Sequence, residues 1–469
     1  MRFKKPPARI GVAPTTQAGG SRMSSSIAQS VRKIKEDLGS IVAADQIVRL
    51  SHAAGHVWRD RTLCPVKTVY LFIAQVLHGN TSCAHVRQLG NFAFARSAYC
   101  EARKRLPVEI FRELLRETGQ RVTAQASRVG LWRGHRVVSV DGSGFSMSDT
   151  KQLQALFHWA PGQRGHEFPV SKFVALFDLI TGALLDLVPA SMRDHELLIV
   201  QRLHDLLKPN DIVVADRLYC AYAYLAQLFS LQLHSVIRVP VGSRRVDFRP
   251  HRRHAAFKHW KGPQSIWIRR LGKHDQIVDW IKPAQVPTWL PRETWEGLPQ
   301  LLRVRELRYR ITRRGFRTRE VTLVTTLLDP RRYPKKAVAE LYGLRWQVET
   351  NLRHLKTTMK MDILRCQTAD GIYRELAVFG IVYNAVRLVM IHAGEAQGVP
   401  PERISFIDVL RWLELGCPGR DLPWFIVNPA RRRSPAPRET RRRPRPLCYM
   451  TRPRTPQRKL PDDQELLLI

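Results

Sequence analysis

The stretch AELYGLRWQVETNLRHLKTTMK, residues 339–360, carries four polar side chains at fixed intervals, Tyr342, Arg345, Glu349 and Lys356. On a helix of about 3.6 residues per turn, their offsets of 3, 4 and 7 keep all four within roughly 60° of one another. One face then presents a phenol, two cations and a carboxylate. Such a face can be ordinary charge pairing on a solvated helix. It also suits a divalent ion held beside a phosphate, with the cations gripping neighbouring phosphate oxygens.

Composition bears on that choice. A formal net charge of +37 over 469 residues makes a polyanion the expected partner. An anionic membrane surface is the competing partner, but no basic amphipathic helix with a clean apolar face stands out. The longest apolar stretch, Leu376 to His392, is interrupted by Asn384 and Arg387 and reads as a buried core helix. The opening MRFKKPPARIGVAPTTQAGG is basic without the apolar run of a signal peptide, so cytoplasmic residence is the expectation. Seven cysteines with no C-x-x-C pair support neither a disulfide framework nor a structural zinc site.

Working outward, the chain divides into six segments. Residues 1–42, rich in Pro, Gly, Ser, Lys and Arg, read as a basic mobile arm. Residues 43–130 repeat apolar positions at helical spacing, with Pro65 and Pro107 as boundary signals. From 131 to 241 the pattern turns to strands: RVVSV ended by Asp141-Gly142, a hairpin FVALFDLITGALLDLVPA turning at Thr181 and Gly182, IVVA ended by Asp216, and SVIRVPV. Residues 242–320 read as a mostly β insertion containing Trp260, Trp267, Trp280, Trp289 and Trp295. Residues 321–410 resume with the strand VTLVTTLLD, and Pro334 opens the helix that bears the tetrad. Residues 411–469 are dominated by Arg and Pro and cannot bury a core.

Asp141 and Asp216 at strand ends, with Glu349 on a later helix, make three carboxylates that a sheet and a packed helix can bring to one point. Divalent cations relieve the repulsion of such a cluster, and Mg²⁺ suits carboxylate and phosphate oxygens. That is the chemistry of phosphodiesters. Asp141-Gly142 can equally be a turn, and Asp216 can pair with Arg217. His158, His166, Asp149, Asp194 and His195 have no spacing that makes them metal ligands.

The segments VVSVDGSGFSMSDT, IVVADRLYCAYAYL and AELYGLRWQVETNLRHLKTTMKMDILRC resemble, in order, the three catalytic blocks of DDE transposases. More narrowly, the chain resembles insertion sequence family four, whose Tyr, Arg, Glu, Lys signature matches Tyr342, Arg345, Glu349 and Lys356 without spacing error. TVYLFIAQVLHGNTSCAHVRQL and SAYCEARKRLP resemble the region that precedes the catalytic domain in this family. Ser143-Gly144-Phe145 and Ser148 depart from the usual wording of the first block.

The resemblance implies an α/β, RNase H-like catalytic core interrupted by a mostly β insertion and preceded by a helical region. It implies Asp141, Asp216 and Glu349 as catalytic ligands of Mg²⁺, with Mn²⁺ as a substitute. It further implies Tyr342, Arg345 and Lys356 on DNA phosphates. Arg238, closing the strand after the second Asp block, is a further candidate DNA contact, with plain surface charge as the alternative. The implied reaction is cleavage at element ends through a hairpin, then strand transfer into target DNA by a homodimeric synaptic complex acting at the bacterial nucleoid. A tryptophan of the insertion is expected to stack on a flipped base. A two-metal nuclease without strand transfer, or an inactive DNA-binding derivative, stand as alternatives.

Overall fold

Apolar spacing in the first region becomes five helices: α1 (Ala44–Ala53), α2 (Pro65–Leu77), α3 (Cys83–Leu89), α4 (Arg96–Arg105) and α5 (Val108–Gln125). Pro65 opens α2 at its first position, where the missing N–H costs nothing. The computed structural model describes residues 42–59, 62–89, 93–125, 131–158, 168–240, 246–248, 264–311, 320–415 and 422–429. The expected arm, the tail beyond residue 429 and Trp260 lie outside these residues. Of two units in the chain, Met1–Tyr309 with Glu320–Ala430 holds nearly everything described; the other, Arg310–Arg319 with Arg431–Ile469, lies almost wholly outside.

The strands follow as β1 (Val137–Ser146), β2 (Val170–Asp178), β3 (Leu184–Ala190), β4 (Ile212–Ala215), β5 (His234–Arg238), β6 (Ser265–Gly272), β7 (Asp275–Ile281), β8 (Leu301–Arg310) and β9 (Glu320–Thr325). Between and after them run α6 (Lys151–Phe157), α7 (Glu196–Ile199), α8 (Tyr222–Ser230), α9 (Arg292–Glu296), α10 (Lys335–Gly343), α11 (Trp346–Arg353), α12 (Ala369–Gln397) and α13 (Phe406–Leu415). All nine strands join one mixed sheet in the order β3-β2-β1-β4-β5-β9-β8-β7-β6. β1, β4 and β5 run parallel at its centre, with the antiparallel β2–β3 hairpin on one side and β9 antiparallel to β5 on the other. The strands of the 242–320 segment therefore continue the same sheet through β9.

The hairpin turns where the sequence places it. Asp178 Oδ1 accepts from the N–H groups of Ile180 and Thr181 and from the Thr181 hydroxyl. β3 ends the sheet, which leaves its outer backbone groups in need of partners. Asn384 of α12 supplies them: its Oδ1 accepts from Leu184 N–H at 2.9 Å and its Nδ2 donates to the Leu184 carbonyl at 2.8 Å. Tyr383 donates to the Gly182 carbonyl and Arg387 to that of Thr181. α5 lies against the same strand so closely that a Cβ on Gly119 would stand 2.5 Å from the Leu184 carbonyl oxygen. α12 is long and apolar enough to cross a membrane by composition, but 94% of its apolar window is buried inside the protein. Its Tyr383, Asn384 and Arg387 serve the β2–β3 hairpin, as expected of a core helix.

Two sequence expectations change. β1 does not end at Asp141-Gly142; it continues to Ser146 because β2 pairs with it throughout, Asp141 opposite Ala175 and Ser146 opposite Val170. Nor is the tetrad on one helix. Leu344 and Arg345 donate to Leu341 and Tyr342, three residues back, which closes α10 and tightens the chain before α11. A π-type turn at His354–Thr358 then carries Lys356.

Candidate active site

Asp141 lies on β1 just past the residues that pair with β4, and Asp216 follows the last residue of β4. The parallel run of the two strands thus sets both aspartates at one end of the sheet centre. Asp216 caps the turn Arg217–Tyr219, its Oδ1 accepting from Leu218 N–H at 2.7 Å. α11 brings Glu349 to the same place. A cleft of about 430 Å³ is lined by Asp141, Asp216, Arg345, Glu349 and Lys356, with Gly142, Ser143, Leu352, Arg353 and Thr357 completing the wall.

Arg345 stands among the acids. Its Nη2 donates to Glu349 Oε1 at 2.8 Å, and its Nη1 is 3.7 Å from Asp141 Oδ2. Burial pushes the Asp141 carboxyl up to about 6; the Gly142 N–H and Arg345 pull it down, while Asp216 and Glu349 push it further up. Glu349 is the more open acid, with 42% of its side chain exposed. Among the described residues, no three His, Cys, Asp or Glu side chains are gathered tightly enough to hold a metal ion. The donor set is nevertheless that of a hard cation, made of carboxylate oxygens only. One of those carboxyls, Asp141, lies in a half-desolvated, acid-flanked place that favours either a proton or a cation.

The other predicted residues lie outside the lining of this cleft. Tyr342 is 6% exposed, with the Arg345 guanidinium carbon 5.9 Å from its ring centre. Burial raises its phenol, against the pull of the Arg345 and Arg238 charges. Arg238 ends β5, and its Nε is buried with no hydrogen-bond partner among the described residues. Trp280 and Trp295 are core residues at 4% and 5% exposure, and Trp267 packs against the same core. Trp289 stacks on His195, ring centroids 5.6 Å apart.

Three neighbours carried no signal in the sequence. Glu196 rests on Gly142, where a Cβ would come within 3.1 Å of its carboxylate, and Tyr219 donates to its Oε2 at 3.4 Å. Trp346 stands 54% exposed beside Arg345. Tyr309 of β8 lies in the field of Tyr342, Arg238 and Arg345, and burial pushes its phenol up to about 12. Glu196 and Tyr309 arrive through packing that no local spacing announces, whereas Trp346, first in α11, is adjacent to a signature residue.

The cleft thus gathers three carboxylates, one on β1, one just past β4 and one on α11, with a guanidinium and an ammonium on the same wall. The family model described as "Transposase DDE domain" matches residues 132–385, more than half of the chain. The chain belongs to the transposase DDE domain family and is an enzyme of that class. Over 459 residues it is 26% identical to the protein named "Transposase InsG for insertion sequence element IS4" of Escherichia coli (strain K12), covering 91% of this chain and 96% of that one. Among solved structures it is similar to a piggyBac transposase synaptic complex with hairpin DNA. That similarity covers 85% of this chain and 82% of that one, at 13% identity and a TM-score of 0.40.

Proposed function

We propose that this DDE transposase moves an insertion sequence by divalent-metal-dependent cleavage at the element ends, through a hairpin, followed by strand transfer into target DNA. The carrying observation is the convergence of Asp141, Asp216 and Glu349 on one cleft whose wall also holds Arg345 and Lys356. An RNase H-like reading of the core is supported by the order β3-β2-β1-β4-β5 with β1, β4 and β5 parallel.

In this reading Asp141, Asp216 and Glu349 hold Mg²⁺, for which Mn²⁺ can substitute. Bound there, the ion supplies charge neutralisation at phosphorus and activation of the attacking oxygen. The chain's own residues position the DNA. Lys356 and Arg345 meet phosphates, Tyr342 steadies Arg345, and Arg238 offers its unsatisfied Nε–H to the same backbone. Arg345 spends one N–H on Glu349, which leaves further guanidinium donors for a phosphate. Trp346, exposed at the rim, gives a base a face to stack on.

In the helical region a groove of about 570 Å³ lined in part by His56, Trp58, Arg59 and Arg105 suits the DNA end. The charge of +37 agrees with a double-stranded DNA partner and with action at the nucleoid in the cytoplasm. Pairing of two ends calls for a homodimer.

Strand transfer separates this reading from a nuclease. Given a pre-cut duplex ending in the inverted repeat that flanks the coding sequence, the protein joins the 3′ end to plasmid DNA in Mg²⁺. Cutting without any joined product would leave the nuclease reading.

The raised Asp141 carboxyl sets a pH dependence. Its folded value lies above the ordinary one, so below about pH 6 the proton competes with the metal and cleavage requires more Mg²⁺. In the metal-free protein the same group has the opposite effect: the native state binds the proton more tightly, so it gains stability as pH falls from about 6 toward the ordinary carboxyl range. Mg²⁺ titrations of the nicking rate at several pH values, and melting in EDTA over the same range, check both directions.

A further inference from the structure

We propose that Tyr309, on a strand of the segment between the second and third carboxylates, joins Arg238 in a seat for one phosphodiester of the DNA end. The proposal deepens the functional reading above and rests on it.

The strand register carries the placement. Arg238 pairs with Leu323 across β5 and β9, so the two side chains share one face of the sheet. Arg308 Nε donates to Thr322 Oγ1 at 3.0 Å, which puts Arg308 and Thr322 together on the other face. Alternation along β8 and β9 then turns Tyr309 to the face of Leu323 and Arg238. α10 packs over β5 and brings Tyr342 to that place, within the charge field that Tyr309 and Tyr342 share with Arg238 and Arg345.

The chemistry favours an anion. Arg238 is half-buried, and its Nε is buried with no partner among the described residues, a donor that is costly to leave unsatisfied. Tyr309 remains a neutral O–H donor at any working pH. Two donors without a carboxylate between them suit a phosphate oxygen pair. The position of this seat, at the carboxyl end of β5 beside β4 and its Asp216, is one strand away from the reacting centre. A phosphate held there is a neighbour of the one being cut. Tyr309 is accordingly a positioning residue that touches the DNA backbone.

The test measures binding of a short fluorescein-labelled duplex ending in the flanking inverted repeat, in EDTA so that no cleavage occurs, over a range of NaCl concentrations. Tyr309→Phe should weaken binding about tenfold with no change in salt slope, since no charge is lost. Arg238→Ala should weaken it and reduce the slope by about one. In the Arg238→Ala protein, Tyr309→Phe should add less than about twofold, because the seat is already broken. Wild-type affinity for Tyr309→Phe, or a full tenfold loss in the Arg238→Ala background, would overturn the proposal.

A scan of single methylphosphonates along the duplex checks it without relying on any variant's folding. One position should weaken the wild type yet leave Tyr309→Phe indifferent; equal sensitivity of both proteins at every position would overturn the seat. If the wild type shows no preference for the repeat over random duplex, the functional reading fails first. Repeat binding that is indifferent to Tyr309 removes the seat alone.

Discussion

Replacing Glu349 by Gln is expected to lower DNA cleavage by on the order of a hundred- to a thousandfold or more, while DNA binding and thermal melting stay near wild type. Gln keeps the shape and can still accept from Arg345, so the ion-pair geometry of α11 survives in weakened form. What is lost is the charge that a metal ion needs. Because 42% of the side chain is exposed, the fold has little invested in it. Removing one negative charge from a cationic surface leaves affinity for the repeat duplex equal or slightly higher. Single-turnover nicking, anisotropy and melting of the same preparation check the three parts together. Were the tetrad face no more than charge pairing, cleavage would survive the substitution.

The second large effect concerns stability. Arg305 is fully buried on β8, with Nε and Nη2 on the two oxygens of Asp275 at 2.8 and 2.6 Å and Nη1 on the Tyr333 carbonyl at 2.6 Å. It ties β7 and β8 to the segment that leads into α10. Arg305→Ala strands Asp275 as an uncompensated buried carboxylate, at a cost of about 3–5 kcal/mol. The paired change Arg305→Met with Asp275→Leu should recover most of that loss, since it removes both charges and refills the space. Urea midpoints of the wild type, the single and the double variant check this. A single variant as stable as the wild type would mean that the pair is not buried as the structure has it.

The candidate site was legible where its carboxylates stand at strand ends and at fixed spacing. Asp216 follows a short buried strand and Glu349 sits in a spaced tetrad, so hydrophobic runs and offsets sufficed to find them. Asp141 was found for a partly wrong reason. Asp-Gly reads as a turn, yet pairing with β2 overrides that local preference and continues the strand to Ser146. The break between α10 and α11 was invisible because the tetrad spacing matches a continuous helix; the i→i−3 bonds at Leu344 and Arg345 depend on how the two halves pack. Tyr309 and Glu196 lay beyond reach for another reason. Tyr309 comes near Arg238 and Tyr342, and Glu196 comes against Gly142, only once the sheet order and the loop after β3 are fixed, and neither leaves a local mark in the chain.

Among larger features, the hairpin at Thr181-Gly182 and the burial of α12 followed from sequence pattern and from the polar interruptions at Asn384 and Arg387. What those polar residues do was not legible. Asn384 serves the open edge of β3, a partner about two hundred positions away in the chain.

If Asp141, Asp216 and Glu349 hold the metal on which DNA cleavage depends, a change of ligand atom at Asp216 should change which metal supports the reaction. Thiolate sulfur is a poor ligand for Mg²⁺ and a better one for softer ions. Nicking of the flanking-repeat duplex by Asp216→Cys is therefore predicted to be lost in Mg²⁺ and partly restored in Mn²⁺. Nicking by Asp216→Cys in Mg²⁺ at the wild-type rate would mean that Asp216 does not hold the metal.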